Sequence, residues 1–382
     1  MSARDPQESH RVASPLELLT DLCFVVAVAQ SAAEFHHALS ANHIGTGLLS
    51  FSMTFFAIWW AWLNFTWFAS AYDNDDVPYR LLTILQIVGV LVLAGGIHRM
   101  YAGDFTLGVT GYVIMRIALV AQWLRASVHD SAHRETCRAY AKGIVLVQAL
   151  WIGFLWIPHN LQVLAFFTFV LAEFCVPIFA ERKGRTTWHP HHIAERYGLF
   201  FIIVLGETIL SATMAVQKTL NENRTDLQVL AVVIGGILIL FSMWWLYFSR
   251  EAGKALERVG PNQLEAFVWG FGHSLVFGSG AAIGAGLALR IDFWTMNHQT
   301  SALASSAAVT IPVAVLIATL WLVQVRPHDC TVRTWPPYFG AAILVLGATF
   351  TPVPEVAAGV ICALLLVVEL KAEHHLACQE HA

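Results

Sequence analysis

Charge is what this sequence has least of. Asp, Glu, Lys and Arg make up 13% of its 382 residues, about half the roughly 25% of an ordinary soluble domain. With 57% hydrophobic residues and a mean hydropathy of +0.61, that scarcity excludes a water-soluble globular fold. A formal charge of −4 is too small to imply a partner by itself, and no nucleic-acid partner is expected. Cysteine is scarce as well. The six (Cys23, Cys137, Cys175, Cys330, Cys362 and Cys378) show no CxxC and no ligand-like spacing, which argues against a disulfide frame. Low-complexity segments and soluble domains are missing, and short loops leave little room for catalysis outside the apolar body. Residues 1–15 are polar and the first apolar run carries Glu17 and Asp21, so no cleavable signal peptide is expected.

What is present is a series of long apolar runs. Twelve are bilayer candidates, at roughly 16–38, 46–69, 81–101, 107–125, 142–158, 161–180, 195–216, 227–248, 264–289, 303–325, 338–352 and 355–371. The fifth, eleventh and twelfth are short and flanked by Pro158, Pro352 and Pro354. With the N-terminus inside, 17 of the 22 Lys and Arg fall on cytoplasmic segments. Arg99, Lys218, Arg224 and Arg290 fall on outer segments and Arg116 within a run, the asymmetry of the positive-inside rule. The expectation is therefore an all-α polytopic membrane protein with about twelve spans and both termini cytoplasmic.

The chain also repeats itself. Pro15 to Gln30 is followed by Trp59-Trp60, and Ile193 to Glu207 by Trp244-Trp245. In each copy about twenty residues separate the Trp pair from the next run, at Leu81 and Leu264. Six runs per copy predict two parallel six-helix repeats, 1–190 and 191–382, joined by the loop 181–194. Gly278, Gly280, Gly284 and Gly286 are read as close helix–helix contacts.

Ionisable groups within such runs are expensive, by roughly 2.5–3.5 kcal/mol each on insertion scales, and so point to sites. Glu17 and Asp21 share a helical face, with Glu17 also readable as a helix-start carboxylate. Glu195 and Arg196 sit at the cytoplasmic mouth of the seventh run. Glu207, beside Gly206, lies deeper and is the strongest proton-carrier or general-acid candidate, with Asp21 second. Arg116 and Glu173 are expected to pair if their helices are adjacent, Asn64 and Gln86 to bond between helices, and His273 to be a core histidine or a proton carrier.

Of the 17 histidines, the clusters His129/His133, His189/His191/His192 and His374/His375 read as solvated loop residues, and no metal site is expected. No motif names a cofactor. Most of the 14 Trp suit interfacial belts. Alternatively Trp59, Trp60, Trp244 and Trp245, with Trp62 and Trp67, wall a substrate cavity.

At these residues the chain resembles the bacterial low-temperature-requirement A family. The resemblance is carried by Glu17 to Leu22, Ile58 to Asn64, Asp73 to Asp76 with Arg80, Arg116, Arg125, and His192 to Gly198 through Leu205 to Glu207. Beyond Ser249 only the hydrophobic rhythm matches. The resemblance implies a multi-pass protein of the bacterial plasma membrane. Three functional classes stay open. One is a transporter or ion-permeation protein that uses buried carboxylates. Another is an intramembrane enzyme that starts an isoprenoid or terpene cyclisation with an acid. The third is a membrane sensor or assembly partner without turnover, against which the lack of a soluble output domain counts. Expected partners are the lipid bilayer and a small solute, ion or hydrophobic substrate, and self-association into a homo-oligomer is compatible with each class.

Overall fold

In a computed structural model, residues 3–5, 8, 11–221, 227–259, 262–295, 300–328 and 334–380 are described. Cys330, Arg224 and Arg333 fall outside them, as do the side chains of Lys218, His374, His375 and Cys378. The described residues form thirteen α-helices and one π-helical turn. The helices are α1 (Pro15–Ser40), α2 (Ile44–Tyr72), α3 (Val77–Tyr101), α4 (Thr106–His129), α5 (Arg134–Phe154), α6 (His159–Glu181) and α7 (Pro190–Asn221). After them come α8 (Leu227–Phe248), α9 (Ala252–Val259), α10 (Gln263–Thr295), α11 (Ala302–Leu320), the π turn (Trp321–Val325), α12 (Trp335–Ala348) and α13 (Pro354–Glu380). Nine are long and apolar enough to cross a membrane: α1–α4, α6, α7, α8, α10 and α11 with its π turn. α5, α9, α12 and α13 are not among the nine.

The chain divides into two compact units. Unit 1 contains residues 1–31 and 49–196; unit 2 contains 32–48 and 197–382.

Helix starts in unit 1 follow local chemistry. Ser14 and Glu17 form a reciprocal capping box: the Ser14 amide donates to Glu17 Oε2 at 2.7 Å, and the Glu17 amide to Ser14 Oγ at 3.3 Å. Pro15 fills the first helical position, where a missing N–H does no harm. Asp76 caps α3 by accepting from the Tyr79 amide at 2.9 Å. At α7, His189 Nδ1 accepts from the His192 amide at 3.2 Å and Pro190 begins the helix. α3 and α4 cross closely because Gly89 and Gly111 lack side chains: a Cβ on Gly111 would lie 2.6 Å from the Gly89 carbonyl oxygen.

Unit 2 uses the same device. A Cβ on Gly235 of α8 would lie 2.4 Å from the Glu355 carbonyl carbon of α13. Gly280 meets Val204, Gly284 meets Thr208 and Gly286 meets Ala308, the close contacts expected of that glycine run.

Each unit also ties its last long helix with a buried ion pair. In unit 1, Arg116 of α4 meets Glu173 of α6 at 3.1 Å, the pair expected from sequence. In unit 2, Arg290 of α10 meets Glu355 of α13 at 3.1 Å and donates to Ser305 Oγ at 3.0 Å. Arg290 is only 2% exposed, which corrects its assignment to an outer segment. Its charge is neutralised inside the helix bundle of unit 2 and does not report orientation.

Candidate functional site

The N-terminal parts of α1 and α7 and the α2 helix bring five side chains together in unit 1: Glu17, Asp21, Trp62, His192 and Arg196. Asp21, one turn after Glu17 on α1, accepts two hydrogen bonds on one oxygen. Arg196 Nη2 donates to Oδ1 at 2.6 Å and Trp62 Nε1 donates to the same atom at 2.8 Å. Glu17 lies 3.2 Å from His192 Nε2. Side-chain exposure is 0–1% for Glu17, Asp21, His192 and Arg196. The Arg196 guanidinium also stands over the Phe65 ring, 5.8 Å from its centroid.

The pairing is incomplete. Asp21 Oδ2, His192 Nδ1 and the Nε and Nη1 of Arg196 make no hydrogen bond among the described residues. An aspartate and an arginine that meet through one atom each leave strong acceptor and donor capacity facing the interior. Two carboxylates face one guanidinium and one histidine, so the charge of the group depends on the proton that His192 or a carboxyl carries.

A polar path leads from this group to the end of α2. Ser14 Oγ donates to Asp73 Oδ2 at 3.2 Å, while its amide holds Glu17. Arg11 donates to the carbonyls of Ser70 and, at 2.6 Å, Ala69. His189 Nε2 donates to the Glu8 carbonyl at 2.8 Å. Asp73 lies just beyond α2, and burial, followed by the negative charge of Glu17, raises its carboxyl above the usual aspartate range. Burial lowers the pKa of the Arg11 guanidinium in the same way.

The structure distributes the sequence-predicted residues unequally. It joins Asp21 with Arg196 and Glu17 with His192. Glu195 is half-buried, with the Ala13 amide reaching it. Trp59 and Trp60 are buried at 1% each, which corrects the interfacial-belt expectation for them, and Trp60 donates to Glu173 Oε2 at 2.8 Å. Trp244 and Trp245 are 43% and 49% exposed and face outward. Glu207 is half-buried on the unit 2 part of α7, and His273 is fully buried in unit 2. Gln86 bonds to Gln122 across α3 and α4 at 2.7 Å, but Asn64 bonds only back to its own helix, at the Trp60 carbonyl.

Sequence reasoning missed His192. It was grouped with solvated loop histidines, yet it and His189 are 0% and 6% exposed. The correction has a local cause: His189-Pro190 starts a helix, so His192 lies on its first turn beside Arg196, one turn later. The signal was Pro190 at a first helical position. Ser14-Pro15-Leu16-Glu17 likewise carried a capping-box signature.

A second feature of unit 1 is a narrow cleft among α2–α6, walled by Phe56, Phe105, Tyr112, Trp151, Phe154 and Phe166 with Glu173 beside them. Glu173 accepts from Trp60, Trp151 and Arg116 at 2.8–3.2 Å.

Long apolar helices and a charge-bearing group sealed among them define a polytopic helical membrane protein with an internal polar site. The chain belongs to the bacterial low temperature requirement A protein family, whose model matches residues 12–370. The match therefore extends well past Ser249, where motif reading found only rhythm. A similar protein is an uncharacterised protein of Rhizobium meliloti (strain 1021), 28% identical over 384 residues, covering 94% of this chain and 89% of that one.

Proposed function

We propose that the protein is a transporter or ion-permeation protein of the bacterial plasma membrane, and that the Glu17–His192–Asp21–Arg196 group takes up a proton or a monovalent cation. One observation carries the reading: a buried group in which two carboxylates face one guanidinium and one histidine, with hydrogen-bonding atoms left unused. A net charge inside an apolar body is costly, so a mobile cation that neutralises it binds with a large advantage. Asp73 and Ser14 provide the approach from the aqueous end, and Glu195 stands near it. In this reading His192 exchanges the proton with Glu17, and Arg196 holds Asp21 in place. Glu207 serves unit 2 as a further proton-accepting carboxyl. The twelve spans, the two parallel six-helix repeats at 1–190 and 191–382, and the cytoplasmic placement of both termini belong to the same proposal.

The test is proton and monovalent-cation flux in liposomes across a pH step. Glu17→Gln and Glu207→Gln should each abolish or strongly reduce the pH-dependent part. Wild-type flux and pH dependence in the Glu17 variant would overturn the assignment of the site. The same result in the Glu207 variant would remove that residue alone.

A second reading is an intramembrane enzyme acting on an isoprenoid-like substrate, with the ring faces of the unit 1 cleft turned to a carbocation, although the cleft as it stands has only about 30 Å³ of free space. It ranks second because Glu173, the carboxyl beside that cleft, is held by a guanidinium and two indole N–H groups and is poorly placed to start a reaction as an acid. Turnover of isoprenoid substrates by purified protein that supports no flux would reverse the order.

A further inference from the structure

Unit 2 buries a set of polar groups that carries no charge. His273 of α10 is 0% exposed, Trp269 and Gln324 1% each, and Tyr247 of α8 2%. The His273 ring centroid lies 4.3 Å from Trp269, 4.9 Å from Tyr197, 5.8 Å from Tyr247 and 5.6 Å from Phe277. Gln324 is brought beside His273 by its neighbour: a Cβ on Gly272 would lie 2.7 Å from Val323 Cγ1.

The hydrogen-bonding capacity of this set is largely unused. His273 Nε2, the Tyr247 hydroxyl, both amide atoms of Gln324 and the Trp269 indole nitrogen have no hydrogen-bond partner among the described residues. The tautomer of His273 is fixed by its other nitrogen. Nδ1 lies 2.7 Å from the Trp269 carbonyl, which can only accept, so Nδ1 carries the proton and Nε2 presents a lone pair.

An independent feature of the backbone points to the same place. Gln324 sits in the π turn Trp321–Val325, where the Arg326 amide bonds to the Trp321 carbonyl five residues back at 2.9 Å. Such a turn is less stable than an α-helical one and recurs at functional sites, where the inserted residue redirects a side chain. Here the redirected stretch contains an amide with nothing of its own to bond.

The geometry points to a binding site in unit 2 for a small, uncharged hydrogen-bonding molecule, held by His273, Tyr247 and Gln324: water, or a solute of its size such as ammonia. The chemistry selects the class. His273 Nε2 needs a donor, the Tyr247 hydroxyl and the Gln324 amide can both donate and accept, and no charged side chain is among them to balance an ion. The rings of Tyr197, Trp269 and Phe277 pack against the His273 ring. This site is separate from the charged group of unit 1, and its failure would leave the transport reading untouched.

The test is nuclear magnetic resonance of histidine-labelled protein in lipid nanodiscs, with His273 assigned by its loss in His273→Gln. We expect the Nδ1-protonated neutral tautomer and a cross-peak from solvent protons to the ring, lost or strongly reduced in both Tyr247→Phe and Gln324→Leu. Tyr247→Phe removes one oxygen and keeps the ring packing, so it stands alone if the other variant does not fold. A cross-peak in plain buffer identifies water. One that arises only with ammonium chloride at alkaline pH identifies ammonia. A folded wild type without either cross-peak, or with one that Tyr247→Phe leaves unchanged, would overturn the site.

Discussion

Asp21 and Arg196 are each safer absent together than alone. Removing one member of a buried pair strands the other charge, at about 3–5 kcal/mol, whereas replacing both with apolar residues is often neutral. Asp21→Asn should therefore lower unfolding stability in detergent by that amount, while Asp21→Leu with Arg196→Met should recover most of it. A double-variant loss equal to the sum of the losses in Asp21→Leu and Arg196→Met alone would show that the contact at 2.6 Å is not energetically coupled. Two aspartates just beyond α2, Asp73 and Asp76, act in opposite directions with pH. A hydrogen bond from Arg125 lowers the Asp76 carboxyl, against the opposing effect of burial. Its stabilisation is fully present above the usual aspartate range and lost as pH falls through the lowered value. Asp73, raised chiefly by burial, contributes stability at low pH that is lost as pH rises through its folded value. Asp76→Asn should flatten the acid limb of a stability–pH curve, and Asp73→Asn should remove the loss on the rise toward neutrality. Because the Asp76 side chain is 36% exposed, the first effect should be at most about 1 kcal/mol.

At the scale of elements, close helix crossings make a sharp contrast between glycines. Gly111→Ala would put a Cβ 2.6–2.7 Å from backbone atoms of Gly89 and Leu93, and such overpacking costs about 1–3 kcal/mol. Gly95, on α3, has nothing within 4 Å of its Cβ position, so Gly95→Ala should stabilise by roughly 0.5–1 kcal/mol. Thermal unfolding of the two variants beside wild type checks both signs. Most helices were legible because a 20-residue apolar run has few alternatives in a chain this poor in charge. The three runs marked as short, at 142–158, 338–352 and 355–371, correspond to α5, α12 and α13, which are not among the nine long apolar helices. Two elements left no trace in hydropathy. α9 is a polar eight-residue helix, and the π turn differs from α11 only in its hydrogen-bond register. The site was half legible: Glu17, Asp21 and Arg196 announce themselves by their cost in an apolar run. His192 does not, because its burial depends on where α7 begins and on which helix faces it, and neither is written in periodicity.

For the molecule as a whole, two units each carry a buried arginine–glutamate tie and a polar interior of a different kind. Unit 1 encloses two carboxylates that face one guanidinium and one histidine; unit 2 encloses hydrogen-bonding groups without charge beside its Arg290–Glu355 pair. The pairing of Arg116 with Glu173 was anticipated from depth alone, since neither charge could stay bare in hydrocarbon. The inventory around His273 was not, since Tyr, Trp and Gln are ordinary residues in such helices until their partners are known. The central claim is that the Glu17–His192–Asp21–Arg196 group takes up a cation, and flux through reconstituted protein tests it most directly. Proton uptake into liposomes across an imposed pH step, wild type beside a folded His192→Gln, is predicted to be measurable in the first and reduced at least about tenfold in the second, the ordinary scale for removing a positioned proton carrier. Equal flux in both, or no flux of protons or monovalent cations through folded wild type, would contradict it.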